Sequence, residues 1–62
     1  MYELTISDPV SGEVVRGYSL PNIRQVESRI VLWQERGMVY SLTADGQPLD
    51  PTEYAYRLSQ GL

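Results

Sequence analysis

The 62-residue chain contains no cysteine and no histidine. Disulfides, Cys/His zinc sites, haem or iron–sulfur ligation through Cys, and catalysis by a thiol or an imidazole are therefore excluded. A chain of this length buries only about 60% of the surface that its unfolded form exposes, and small domains commonly add disulfides, a metal or a second copy of themselves. We therefore expect oligomerisation or a partner surface to supply the missing support.

The chain also lacks lysine, long apolar runs and a strong net charge. No apolar run approaches the ~20 residues of a membrane span, and the opening MYELTISDP lacks the basic and apolar regions of a signal peptide. We therefore expect a cytoplasmic protein without membrane contact. Five arginines stand against eight acidic residues, for a formal net charge of −3. This charge balance argues against binding to nucleic acid or anionic lipid by electrostatic attraction alone.

The longest periodic stretch covers residues 22–37, NIRQVESRIVLWQERG. At about 100° per residue, four apolar side chains form the narrow core-facing stripe of an amphipathic helix: Ile23, Val26, Ile30 and Trp33. Asn22 suits the N-cap with Gln25 in the reciprocal capping position, and Gly37 suits a left-handed C-terminal position. The stretch predicts a helix whose apolar stripe must be covered.

Two stretches before this helix predict a β-hairpin. Residues 2–7, YELTIS, alternate strictly between apolar and polar, as a half-buried strand does. Residues 8–12, DPVSG, supply turn chemistry, and a return strand follows over about residues 13–20. One face of that strand is expected to carry Val14, Arg16, Tyr18 and Leu20. Gly17 is expected to mark a bulge or a close backbone approach.

Alternation resumes after the long helix. Residues 38–43, MVYSLT, predict a third strand, and residues 44–46, ADG, predict its exit turn. Residues 47–49, QPL, are expected to be extended and peripheral, because Pro48 cannot donate to a strand ladder.

A second helix start follows directly. Asp50, Pro51 and Glu53 combine an N-cap, a proline at the first helical position and an acidic residue in the first turn, which predicts a helix over about residues 51–60. Its inner face is expected to carry Tyr54, Ala55, Leu58 and Leu62.

The element order is β-β-α-β-α, without a repeat, a low-complexity tract or a linker, so we expect a single domain over residues 1–62. A three-stranded sheet with the long helix on one face buries the helix stripe and the apolar strand faces together. The predicted fold class is α+β in two layers, with a short C-terminal helix.

Residues 39–54, VYSLTADGQPLDPTEY, resemble the strand, glycine-containing turn, short strand and acidic helix start that follow the main helix of ubiquitin-like β-grasp domains. The order hairpin, helix, strand, turn and short helix is also how that family begins. The resemblance implies an alternative, truncated β-grasp-like fold with neighbouring, parallel first and third strands. The sequence ends in QGL without that family's final central strand or Gly-Gly tail, so we expect neither conjugation nor sulfur carriage.

No residue pattern indicates an enzyme. Catalysis would fall to carboxylates, Tyr, Ser or Thr, and Ser11 has neither the context of a nucleophile elbow nor a histidine partner. Asp45 and Asp50 are the nearest candidates for a Ca²⁺ or Mg²⁺ site, but the loop lacks the ligand spacing of known calcium loops and Asp50 is accounted for as a helix cap. We expect a non-enzymatic protein without a cofactor or a metal.

The strongest anomaly lies on the long helix, where Leu32 falls about 140° from the centre of the apolar stripe, among polar residues. Arg, Trp and Tyr beside apolar residues are typical of association hot spots. The expected partner-binding residues are Gln25, Arg29, Leu32, Arg36 and Tyr56. The alternative is an ordinary exposed leucine, because over half of a protein surface is apolar.

The sheet offers a second candidate surface. If the helix covers one face, the other is mostly polar with a β-branched centre: Glu3, Thr5, Ser7, Val15, Val39, Ser41 and Thr43. Such a face can remain exposed to solvent or pack against another sheet. An edge strand without a neighbour also allows a further strand to be added.

Three functions therefore stay open. The leading hypothesis is a small protein–protein interaction module, an adaptor, inhibitor or accessory subunit, that binds another protein or a second copy of itself. The alternative is a nucleic-acid-associated regulator that uses the surface arginines, with Arg16, Arg29 and Arg36 as the candidate local cluster. The second alternative is an accessory subunit that completes an enzyme's active site.

Overall fold

The computed structural model describes residues 1–61, so the predicted inner position of Leu62 lies outside the described residues. The elements are β1 (Tyr2–Ser7), β2 (Val14–Leu20), α1 (Ile23–Gln34), β3 (Val39–Ala44), β4 (Gln47–Pro48) and α2 (Pro51–Gln60). The predicted α+β class is confirmed. Neither helix in this part of the chain is long and apolar enough to cross a membrane.

The strand order is β2-β1-β3-β4, and every neighbouring pair is antiparallel. The parallel first and third strands implied by the β-grasp resemblance are therefore wrong. The reason lies in the chain path: the hairpin reverses the chain once, and α1 carries it back along the sheet. As a result β3 runs in the direction of β2, opposite to β1.

The expected three-stranded sheet is also wrong, because a short fourth strand joins its edge. Gln47 pairs with Ala44 and Pro48 pairs with Thr43. The turn between β3 and β4 has positive φ at Asp45 (50°) and Gly46 (83°), a combination that suits tight hairpins. Proline is tolerated in β4 because an edge strand can point the missing N–H away from the ladder.

The core lies between the sheet and α1, with β1 at its centre. Within residues 1–61, eight hydrophobic side chains are buried: Tyr2, Leu4, Ile6, Ile23, Val26, Ile30, Leu42 and Ala44. Three of the four predicted stripe residues of α1 are among them, and Trp33 is half-buried against the margin of the core. Asn22 caps α1 as predicted, since its Oδ1 accepts a hydrogen bond from the Gln25 N–H at 3.0 Å.

The bulge in β2 lies at Val15, not at Gly17. Ile6 pairs with Arg16 and Ser7 pairs with Val14, so Val15 is the extra residue, whereas Gly17 stands in regular register. An extra residue reverses the alternation of side chains beyond it. Val14 therefore leaves the predicted inner face and is 66% exposed.

The C-terminal helix packs on the same layer as α1. Its Tyr54 and Leu58 side chains lie against the core as predicted, but Ala55 is exposed. Arg57 is half-buried in its place, and its guanidinium donates hydrogen bonds to the Tyr2 hydroxyl (3.4 Å) and to Glu53 (3.3 Å). The inner arc of α2 is therefore rotated toward Arg57, away from Ala55.

The N-terminus of α2 depends on one carboxylate. Asp50 Oδ1 accepts the Glu53 N–H at 2.8 Å, and losing such a cap costs about 1 kcal/mol, within a range of roughly 0.5–2. We expect Asp50→Ala to lower the melting temperature by about 4–8 °C, the shift per kcal/mol for a domain of this size. Thermal unfolding followed by circular dichroism measures this. Asp50→Asn keeps an acceptor and should retain most of the stability; equal losses in both variants would contradict the role of the cap.

The ionisation of the Tyr54 phenol makes the free energy of unfolding depend on pH in the alkaline range. Its partial burial raises its pKa above the ordinary value of 10.0, and the negative charges of Glu27 and Tyr40 add to the effect. Because the unfolded chain releases this proton first, the stabilisation is complete below pH 10.0 and is lost as the pH rises through the folded pKa. We expect the free energy of unfolding to fall over that range.

The matching variant is Tyr54→Phe, which removes the titrating group and keeps the ring near Tyr40, whose centroid lies 6.4 Å away. Denaturant unfolding at a series of alkaline pH values should show a shallower fall for the variant than for the parent chain. The same slope in both proteins would exclude Tyr54 as the source.

Candidate protein-binding surface

Two aromatic rings and three guanidinium groups meet where α1 crosses β2. Trp33 Nε1 donates a hydrogen bond to the Tyr18 hydroxyl at 3.0 Å. The Cζ atoms of Arg16 and Arg29 lie 5.4 Å and 5.3 Å from the centroid of the Tyr18 ring. Arg36 Cζ lies 5.1 Å from the Trp33 ring. We call these five residues the arginine–aromatic cluster.

Local spacing brings each member to this place. Arg16 and Tyr18 stand two residues apart on β2, beyond the bulge, and therefore share the face that α1 covers. Arg29 and Trp33 stand four residues apart and share one flank of α1. Arg36 follows in the turn after α1, three residues beyond Trp33.

The charges of this cluster differ from those of the other two arginines, which pair with carboxylates. Arg24 pairs with Glu27 at 3.7 Å, and Arg57 pairs with Glu53 at 3.3 Å. Within residues 1–61, the three arginines of the cluster form no ion pair.

A contact with the face of an aromatic ring helps to position a guanidinium without consuming its hydrogen-bond donors. Each exposed cation–π contact contributes about 0.5–1 kcal/mol, while the five N–H donors of the group stay available in a fixed plane. Such a plane matches a carboxylate in two parallel hydrogen bonds. The cluster therefore presents three guanidinium groups beside aromatic rings, a chemistry that suits carboxylates.

Four of the five predicted partner-binding residues lie along one side of α1 and the turn after it. Gln25, Arg29 and Arg36 are exposed. Leu32 is half-buried, and it is not among the side chains packed against the core. Its neighbours one turn away, Ser28 and Arg36, lie on the same side of the helix and flank it.

The fifth predicted residue lies elsewhere. Tyr56 is 57% exposed on α2, and α2 packs along the other flank of α1, where the Glu27 charge acts on Tyr54. The fold therefore does not bring Tyr56 together with Gln25, Arg29, Leu32 and Arg36.

Three members of the cluster were not among the predicted partner-binding residues: Arg16, Tyr18 and Trp33. Alternation along β2 already placed Arg16 and Tyr18 on one face, which was the available signal. Which flank of α1 faces β2 is set by packing between distant segments, and the sequence carries no local sign of it.

The sheet has a second uncovered surface, because both helices lie on one of its faces. Ser7 stands between Val39 of β3 and Val14 of β2, so the row across the sheet is apolar at both ends. Val39 is 48% exposed. Farther along this face, the Ser19 hydroxyl donates a hydrogen bond to Glu3 at 2.7 Å. The face is mixed rather than continuously apolar.

The two aspartates considered for a metal have other roles. Asp45 accepts a hydrogen bond from the N-terminal ammonium at 2.9 Å, which lowers the pKa of its carboxyl, and Asp50 caps α2. Within residues 1–61, no group of three or more acidic side chains is placed to hold a metal ion, and no pocket opens into the fold.

Comparison with known proteins gives no match: no protein-family model, no curated protein and no solved structure is significantly similar to the chain.

Proposed function

We propose that the protein is a cytoplasmic, non-enzymatic protein–protein interaction module, acting as an adaptor, an inhibitor or an accessory subunit. The contact surface is the arginine–aromatic cluster together with the side of α1 that carries Gln25 and Leu32. The partner is another protein or a second copy of the chain. The observation that supports this function is the set of three arginines that lie over aromatic rings and form no ion pair within residues 1–61.

The chemistry of this surface favours association with protein. The few interface residues that supply most of the binding energy are often Arg, Tyr or Trp. Rigid aromatic rings also lose little conformational entropy on binding. Leu32 adds an apolar contact beside Arg29 and Arg36, which makes one surface with an apolar centre and charged margins. Proteins use this arrangement of core and rim at their interfaces.

Affinity capture with matched charge reversals tests the proposal. Arg29 and Arg24 are both exposed on α1, and within residues 1–61 Arg24 pairs with Glu27 whereas Arg29 forms no ion pair. We expect the parent chain and Arg24→Glu to capture one discrete protein from host extract, and Arg29→Glu to lose most of it. Equal capture by both variants would contradict the proposal. If the partner is a second copy, light scattering should report a dimer that Arg29→Glu dissociates.

A second function, contact with single-stranded nucleic acid, is supported by the same cluster. Arginines beside aromatic rings bind phosphates and stack on bases. The net charge of −3 counts against this candidate. Titration with an oligonucleotide across salt concentrations decides it, since phosphate contacts lose affinity steeply as salt rises; absence of binding at low salt would eliminate it.

A further inference from the structure

The two edges of the sheet differ in their capacity to accept another strand. The edge at β4 has two residues, one of which is Pro48, and cannot support a ladder. The edge at β2 is seven residues long and contains no proline, and within residues 1–61 it pairs with β1 alone. Beyond the bulge, its residues 16–20 follow a regular register. Such a strand points alternate N–H and C=O groups outward without partners.

The arginine–aromatic cluster lies along this same edge. Arg16 and Tyr18 belong to β2 itself, and Arg29 reaches Tyr18 from α1. A strand added outside β2 would lie about 4.8 Å away, and every second side chain of it would point to the face that carries the cluster. Open backbone groups and uncompensated positive charges therefore stand side by side.

We propose that the partner binds through an extended acidic segment that adds a fifth strand along residues 16–20 of β2. Alternate Asp or Glu side chains of that segment lie against the arginines of the cluster. Backbone hydrogen bonds supply affinity and the carboxylates supply specificity, as in other cases of strand addition. This inference rests on the proposed function and names the chemistry of the partner.

An acidic peptide fits this edge better than the other occupants. Two copies of β2 paired edge to edge would bring the cluster of one chain against the cluster of the other, and like charges in close contact are destabilising. Nucleic acid can bind the arginines, but it has no backbone ladder to offer the open N–H and C=O groups of β2. Only an acidic peptide strand satisfies both features.

The probe is an acetylated, amidated heptapeptide in which glutamate alternates with valine, matched in length to β2. Calorimetry with the full chain should show binding. A fully N-methylated form of the peptide keeps the charges but cannot donate to a ladder, and we expect it to bind at least about tenfold more weakly, which is about 1.4 kcal/mol. A peptide of the same composition with contiguous glutamates should also bind more weakly, because its carboxylates face both sides.

Protein variants separate this inference from the function on which it rests. Arg29→Glu should weaken peptide binding at least about tenfold, and Arg24→Glu, with the same change in charge, less than about twofold. If the N-methylated peptide binds as tightly as the parent peptide, strand addition is wrong, while loss of capture by Arg29→Glu would still support the proposed function. Absence of peptide binding at millimolar concentration overturns the inference. Displacement of the peptide by an equimolar single-stranded oligonucleotide also overturns it. So does dimerisation of the chain that prevents the peptide from binding.

Discussion

Replacing Ile6 by alanine is expected to lower the free energy of unfolding by about 2–5 kcal/mol, the range for a large buried aliphatic side chain. Ile6 is fully buried at the centre of the sheet, between Arg16 of β2 and Tyr40 of β3. A domain of this length has a total stability of roughly 3–9 kcal/mol. The expected loss is therefore a large fraction of the total stability.

Urea unfolding followed by circular dichroism measures this loss. The matched control is Val10→Ala in the hairpin turn, where the side chain is 94% exposed. Its effect should stay within about 0.5 kcal/mol. A loss below about 1 kcal/mol for Ile6→Ala would mean that the core does not have β1 at its centre.

Replacing Trp33 by alanine is the second large effect, expected at about 2–3 kcal/mol. Complete removal of a buried Trp side chain costs about 3–5 kcal/mol, and Trp33 is only half-buried. The substitution also removes the hydrogen bond to the Tyr18 hydroxyl and the ring beneath Arg36. The stability loss and the loss of partner capture should therefore occur together.

The control for this residue is Trp33→Phe. Phenylalanine keeps a ring for Arg36 and most of the packing but cannot donate to Tyr18, so we expect a loss of about 1 kcal/mol, the net value of one hydrogen bond. Partner capture should persist at a reduced level. If Trp33→Ala were as stable as the parent chain, the arginine–aromatic cluster would not be held together by this ring.

Local signals explain the elements that sequence reasoning located well. Asn22 and Asp50 each place an acceptor at the start of a helix, and both accept the expected backbone N–H. Pro51 and the left-handed Gly61 bound α2. Strict alternation located β1 over Tyr2–Ser7. These features depend on neighbours a few residues away, and such neighbours are visible in a sequence.

The errors have other origins. The fourth strand is a local hairpin, in which Gln47 and Pro48 pair with Ala44 and Thr43, and the missing N–H of Pro48 argued against it although an edge strand tolerates proline. The bulge at Val15 reverses the side of Val14, although Gly17 is the residue with the stronger local preference for a bulge. The direction of β3 follows from the path of α1 over the sheet.

The candidate surface divides in the same way. Helical periodicity placed Gln25, Arg29 and Leu32 on one side of α1, and the structure has them there. The contribution of Arg16 and Tyr18 required knowing that β2 lies under the flank of α1 that carries Arg29. That relation is a property of packing. The sequence could therefore suggest that the arginines cluster, but not that they lie over the rings of Tyr18 and Trp33.

The central claim is that the side of α1 that carries Leu32 is the contact surface. Site-specific photo-crosslinking in an extract of the cells that produce the protein tests it most directly. A benzoylphenylalanine at position 32 lies beside the cluster, and one at position 31 replaces Val31, which is 49% exposed on a different side of the same helix. We expect a discrete crosslinked product from position 32 that is absent from position 31 and lost when Arg29→Glu is added. Equal products from both positions, or a product from position 31 alone, would contradict the claim that this side of α1 is the contact surface.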